Sequence, residues 1–188
     1  MIFSLRNILL GIFLFLSIAL CVLTGSSTLD AYRDAGKYAD VSKFTMLDRA
    51  LFQTLANFRN ERGDGSSLDK LELGAQDATL TLLKTDRGIV DKYMADAKSV
   101  FANIDDPALK APIADVMNAY DRVVAFRSKL DNEVAKKLAD RDSTLQATTL
   151  DLGQQFLTAL ETGSTAIENR IRASDPSMTA LIQIRALT

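Results

Sequence analysis

The densest polar group in the chain is Arg59-Asn60-Glu61-Arg62-Gly63-Asp64. Two guanidinium groups three residues apart lie on one side of a helix. A planar guanidinium suits a carboxylate or a nitrate-like anion, which it grips through two parallel N–H bonds. One reading of Arg59 and Arg62 is therefore a ligand-binding corner for a small anion. The other is a helix C-terminus, where Arg62 complements the macrodipole and Glu61 or Asp64 neutralises it. Residue types and spacing leave both readings open.

Most other chemistry is closed off by composition. The chain has no histidine, so it has no His-based triad, no imidazole metal ligand and no imidazole pH switch. Its one cysteine, Cys21, sits inside an apolar run and can form neither an intrachain disulfide nor a Cys-ligated zinc site. No phosphate-cradling glycine loop is present, and the acidic residues fall mostly at solvent-facing helix phases. The expectation is a protein that is not an enzyme, with no cofactor and no metal. A net charge of −2, from 22 basic and 24 acidic residues, gives no electrostatic case for nucleic acid.

The elements that must position Arg59 and Arg62 start at the membrane. Asn7–Leu29 is a run of 23 residues without a charge, flanked by Arg6 and Asp30. A helix needs roughly 20 apolar residues to cross a bilayer core of ~30 Å. Arg6 and the α-amino group place the N-terminus in the cytoplasm. A cleaved signal peptide is the rival reading, but the run is long for one and lacks an Ala-x-Ala site. Leu20 is too large to precede a lipidated cysteine at position 21. A retained membrane helix over residues 8–28 is expected.

Beyond Asp30 the pattern turns helical. Phe44, Leu47, Leu51, Leu55 and Phe58 recur at spacings of three and four, with Asp40, Lys43, Asp48 and Arg59 largely off that face. The helix should end at Gly63, with the serines after Gly65 opening the next. Leu71, Ala75, Ala78, Leu82, Ile89, Tyr93, Ala97, Val100 and Ile104 set the seam of a second helix. Asp105-Asp106-Pro107 is a stop-and-start signal: aspartate caps a helix and proline suits its first turn. Ile113, Met117, Tyr120, Val124, Leu130, Val134 and Leu138 mark a third helix, and Leu145, Leu152, Phe156, Leu160, Ile167 and Ile171 a fourth. Turns are expected near 63–68, 104–107 and 140–144. Phe44, Leu51, Phe58, Leu82, Tyr93, Met117, Val124, Phe156, Leu160 and Ile167 should be buried together. Arg170 and Arg172 should be solvated or face lipid headgroups. No run shows period-two alternation, so no strand is expected.

Long helices with short turns predict an all-α fold: an N-terminal transmembrane helix followed by an up-down antiparallel four-helix bundle. The expected domains are 1–29, a cytoplasmic stub and membrane helix; 30–174, the bundle; and 175–188, the truncated start of a further helix. That last segment opens at Asp175-Pro176 and carries Met178, Leu181, Ile182, Ile184 and Leu187.

Leu51–Gly65, LFQTLANFRNERGDG, resembles the leucine-rich helix ending in Glu-Arg-Gly of nitrate/nitrite-sensing-type bacterial sensor domains. With the membrane run and the two aspartate–proline helix starts, the whole chain resembles the N-terminal sensory part of alphaproteobacterial methyl-accepting chemotaxis proteins. The resemblance implies a dimeric receptor in the bacterial inner membrane. Residues 30–188 would lie in the periplasm, bind a small anionic ligand through Arg59 and Arg62, and signal across the membrane. A membrane-tethered helical adaptor without a small-molecule ligand, or the sensor domain of a histidine kinase, are the alternatives.

Overall fold

The computed structural model describes Leu5–Ser174 except Leu73 and Ala75; the side chains of most residues before Tyr38 are also outside the description. Arg6, most side chains of the charge-free run and the expected further helix over 175–188 therefore lie outside the described residues. The described chain is all-helical, with four α-helices and no strand: α1 (Leu5–Leu68), α2 (Asp77–Phe101), α3 (Pro107–Val134) and α4 (Leu145–Ser174), with a single 3-10 turn at Leu138–Asp140. It divides into two compact units, Met1–Asp40 and Val41–Thr188.

In the first unit the backbone of α1 is helical from Leu5, and the hydroxyls of Thr24 and Thr28 donate to the carbonyls of Leu20 and Thr24. Phe15 and Leu20 are 73% and 65% exposed. Among the described residues no helix is long and apolar enough to cross a membrane.

The second unit is a four-helix bundle. Asp48 meets Ser164 and Arg62 meets Gln154, so α1 and α4 run antiparallel. Asp91 meets Tyr120 and Arg87 meets Asp131, so α2 and α3 do too. Arg170 meets Asp106 while Lys129 meets Asp142, which sets α4 against α3 in the same way. On α1 the inward stripe is Leu47, Leu51, Thr54, Phe58, Glu61, Gly65 and Leu68, all buried, at alternating spacings of four and three. The apolar core falls into two clusters. The larger holds Leu47, Leu51, Phe58, Val90, Met94, Ile113, Val116, Phe156, Leu160 and Ile167 among others. The smaller holds Leu68, Leu83, Leu130, Val134 and Leu145.

Several boundaries and faces differ from the sequence reading. Helix α1 does not end at Gly63; it continues through Gly65 to Leu68. A Cβ on Gly65 would lie 3.3 Å from a Leu130 methyl, so this glycine admits a neighbouring helix rather than ending its own. Two helical glycines cost roughly 1 kcal/mol each. Full burial of Leu68 offsets much of that, at about 1.5–3 kcal/mol. The left-handed glycine is instead Gly74, at φ +87°, in the connection to α2. That connection also delays α2 to Asp77.

The second and third helices are rotated by one residue from the expected faces. Leu82 is 58% and Val124 40% exposed, while their neighbours Leu83 and Val123 are 1% and 7% exposed. Tyr93 and Met117 are half-buried, and Met94 and Val116 take the core positions. Leu138 lies in the 3-10 turn and is exposed. Both helices carry adjacent apolar pairs, so either of two registers 100° apart gives an apolar stripe. Asp48, expected off the core face, is buried on the α1–α4 seam and accepts from the Ser164 hydroxyl.

The connections hold through side-chain caps. Asp106 caps α3 by accepting from Ala108 N at 2.9 Å, with Pro107 in the first turn, as the sequence predicts. Arg170 donates to the same Asp106 carboxylate at 2.6 Å, and Arg172 lies 3.9 Å from Glu168, so neither arginine is simply solvated. At the other end Arg141 donates to the carbonyls of Leu68, Asp69, Val134 and Lys136 and to the Gln76 side chain. Orphan carbonyls at the ends of α1 and α3 are thereby satisfied by one guanidinium. Asp142 accepts from Thr144 and from Lys129, whose ammonium foremost holds its carboxyl well below the usual range.

The one-residue rotation gives a paired test. Leu83→Ala should cost about 2–5 kcal/mol, as a buried leucine does. Leu82→Ala should stay within about 0.5 kcal/mol, as surface changes do. Urea unfolding of the two variants checks both, and equal costs would place the α2 face wrongly.

Candidate functional site

Between the two apolar clusters lies a layer of charge. Glu61 of α1, Arg87 of α2 and Arg127 of α3 each occupy a core-stripe position and meet there. Glu61 is 5% exposed. Arg127 Nε and Nη2 donate to its two oxygens at 2.7 and 2.8 Å, a bidentate pair. Arg87 Nε stands 3.8 Å from the same carboxylate. Outward from the layer, Arg127 Nη1 donates to Asp91 at 2.6 Å, as does the Tyr120 hydroxyl. Arg87 Nη1 donates to both oxygens of Asp131 at 2.8 and 3.0 Å. The ring of Tyr120 packs on Phe156, which meets Phe58 edge-on, so aromatic surface borders the layer on its larger-cluster side.

Burial pushes the Glu61 carboxyl up, and the hydrogen bond and charge of Arg127, then the charge of Arg87, pull it only part of the way back. Burial by itself would lower Arg127; the hydrogen bonds and charges of Glu61 and then Asp91 outweigh it and raise the guanidinium further. Burial, then Asp91, pushes the Tyr120 hydroxyl up. A carboxyl raised in the folded state contributes stability below its unfolded pKa and loses it as pH rises through the folded value.

Arg59 and Arg62 lie one turn to either side of this layer, on the outer flank of α1. They line an open groove of about 490 Å³ between α1 and α4, with Gly63, Ser66, Leu150, Gln154, Leu157 and Glu161. Arg59 Nη2 is 3.8 Å from Glu161, and both side chains are more than half exposed. Arg62 donates to Gln154 at 3.2 Å. Its aliphatic stem lies on Gly153 of α4, where a Cβ would come within 2.7 Å of Arg62 Cδ. Gly63 has open space where a Cβ would stand. The two arginines and one glutamate leave the groove with one excess positive charge. Ser66 and Gln154 offer neutral hydrogen bonds, a set suited to a small carboxylate-class anion.

The structure thus brings Arg59 and Arg62 to one groove, and places Glu61 away from it, in the interior. Arg62 is not a terminal-turn arginine, since α1 continues to Leu68. Glu61, Arg87 and Arg127 were not singled out by sequence reasoning as a set. Their signal was present: each continues the three-and-four spacing of its helix's core stripe, as in Leu83, Arg87, Val90, Met94 and Ala97. Among the described residues no group of three or more acidic or cysteine side chains is placed to hold a metal. No family model, no curated protein and no solved structure matches the chain.

Arg127→Ala leaves the Glu61 carboxylate buried with only the distant Arg87 edge. The loss should be about 3–5 kcal/mol at pH 7, the cost of stranding one member of a buried pair. Without Arg127 the Glu61 carboxyl rises further and protonates more readily, so the deficit should shrink as pH falls from 7 towards 5. Urea titrations across that range test it; a deficit independent of pH would remove Glu61 as the stranded group.

Proposed function

We propose that the chain is the extracytoplasmic ligand-sensing part of a bacterial transmembrane chemoreceptor, binding a small anion in the Arg59–Arg62 groove. The observation that carries this reading is the groove itself: two arginines, a glycine and two neutral hydrogen-bonding side chains along the α1–α4 seam. Gly63 supports it further. An exposed glycine inside a helix costs roughly 1 kcal/mol, and no neighbour needs its missing Cβ; a ligand approaching the helix backbone does. The membrane anchor rests on the charge-free Asn7–Leu29 run. The exposure of Phe15 and Leu20 fits lipid contact. Helix α1 carries both that run and the two arginines, so a ligand that shifts the α1–α4 seam acts on the anchoring helix. In this reading the protein works as a homodimer in the inner membrane, without enzymatic activity or cofactor. Its output is a chemotaxis pathway rather than the autokinase of a histidine-kinase sensor.

Calorimetry on the full 188-residue chain in detergent, with nitrate and small mono- and dicarboxylates as probes, tests the site. Arg59→Ala/Arg62→Ala should weaken binding at least tenfold. Gly63→Ala should stabilise the free protein by about 1 kcal/mol, while Gly63→Leu should fill the groove and abolish binding. Binding unchanged in the double variant removes the arginines from the site. No binding by any probe favours the tethered adaptor.

Topology has its own test. In a Cys21→Ser background, Asn132→Cys places an exposed thiol on α3. A membrane-impermeant maleimide should label it in intact cells; labelling only after lysis would put the bundle in the cytoplasm.

A further inference from the structure

We infer that the interior layer holds a second anion site, separate from the groove: Arg87 binds one small monovalent anion, a halide or a formate-sized carboxylate, inside the bundle. Arg87 is 13% exposed at its side chain and uses only Nη1, on Asp131. Its Nε and Nη2 are buried, and no protein acceptor is within hydrogen-bonding distance of either. The 3.8 Å from Nε to Glu61 is too long for a hydrogen bond. These two nitrogens form one edge of the planar fork. Arg127 chelates Glu61 with the same edge.

Beside that edge is a cavity of about 30 Å³. It has room for about two waters or one ion of similar size. Leu83, Val123, Phe126, Leu130 and Leu152 make its walls apolar. Helix α4 contributes Thr149 and Gly153 where the other three helices contribute charged side chains. The Thr149 hydroxyl already donates to Leu145 O. The protein therefore supplies no acceptor for Arg87 from that side.

Charge separates an anion from water as the occupant. The buried members of the layer are two guanidinium groups and one carboxylate. The balancing carboxylates, Asp91 and Asp131, are 48% and 51% exposed at the rim, where solvent screens them. An uncompensated interior charge is costly, and a water dipole does not cancel it. A monoanion on Nε and Nη2 satisfies both donors and neutralises the excess. The way in passes Arg62, whose side chain lines both the groove and this cavity.

Thermal unfolding of the full chain in detergent tests the site, with sodium gluconate replaced stepwise by sodium chloride or sodium formate at constant ionic strength. Gluconate is too large for the cavity. Chloride and formate should raise Tm saturably, by about 5–10 °C at a hundredfold excess over Kd. Arg87→Gln should abolish the rise. Val123→Leu, which keeps every charge and fills the cavity, should abolish it too, and it carries the test if Arg87→Gln does not fold. Arg59→Gln, which alters only the groove, should leave the rise intact. Equal Tm in all three salts, or a rise that survives in Val123→Leu or in folded Arg87→Gln, overturns the proposal. A rise lost in Arg59→Gln assigns the ion to the groove and overturns it as well.

Discussion

The bidentate contact between Glu61 and Arg127 constrains the bundle more than any apolar contact does. Both groups sit where a leucine would normally pack, and each is tolerable only opposite the other. Sliding α1 against α3 by one heptad would set the carboxylate among leucines. Apolar stripes alone tolerate such a slip, because any leucine packs acceptably on another. The charged layer does not, so it fixes which level of each helix meets which. It also divides the core into its two clusters, one on each side.

The two ends of the bundle are closed by the same device used differently. At the α2–α3 turn, Asp106 caps one helix backbone and pairs with Arg170 from another. At the opposite end, Arg141 takes up carbonyls from the ends of α1 and α3, so two helix termini depend on one side chain. In each case a charged group satisfies backbone that the chain reversal would leave unpaired, which lets the connections stay short without burying orphan polar groups.

Arg62 lies where the interior layer and the outer groove come closest. Its stem packs on Gly153 and its head bonds Gln154, so its position depends on a glycine that accommodates no side chain. A group in the groove that draws this guanidinium outward loosens the α1–α4 seam beside the buried Glu61. Binding outside and packing inside are therefore coupled through one side chain, with the stiffness of a close-packed interior behind it.

Helical class was legible in the residues themselves, because the three-and-four spacing of Leu47, Leu51 and Phe58 and of Phe156, Leu160 and Ile167 is a local property. So was the α2–α3 turn, since Asp106 and Pro107 act on their own backbone. Faces carrying paired apolar residues were not legible. Leu82-Leu83 and Val123-Val124 present two equal stripes, and only a neighbouring helix chooses between them. The end of α1 was misplaced for a related reason: glycine at 63 and 65 signals a stop locally, whereas close packing on Leu130 and Thr149 makes Gly65 a helical residue. Arg59 and Arg62 could be named from their spacing, but not the groove they share, whose second wall is α4, about ninety residues away in sequence. The buried layer of Glu61, Arg87 and Arg127 belongs wholly to the tertiary structure. A charge on a core stripe reads as a misfit in one helix and becomes a contact only when three helices bring their misfits to one level.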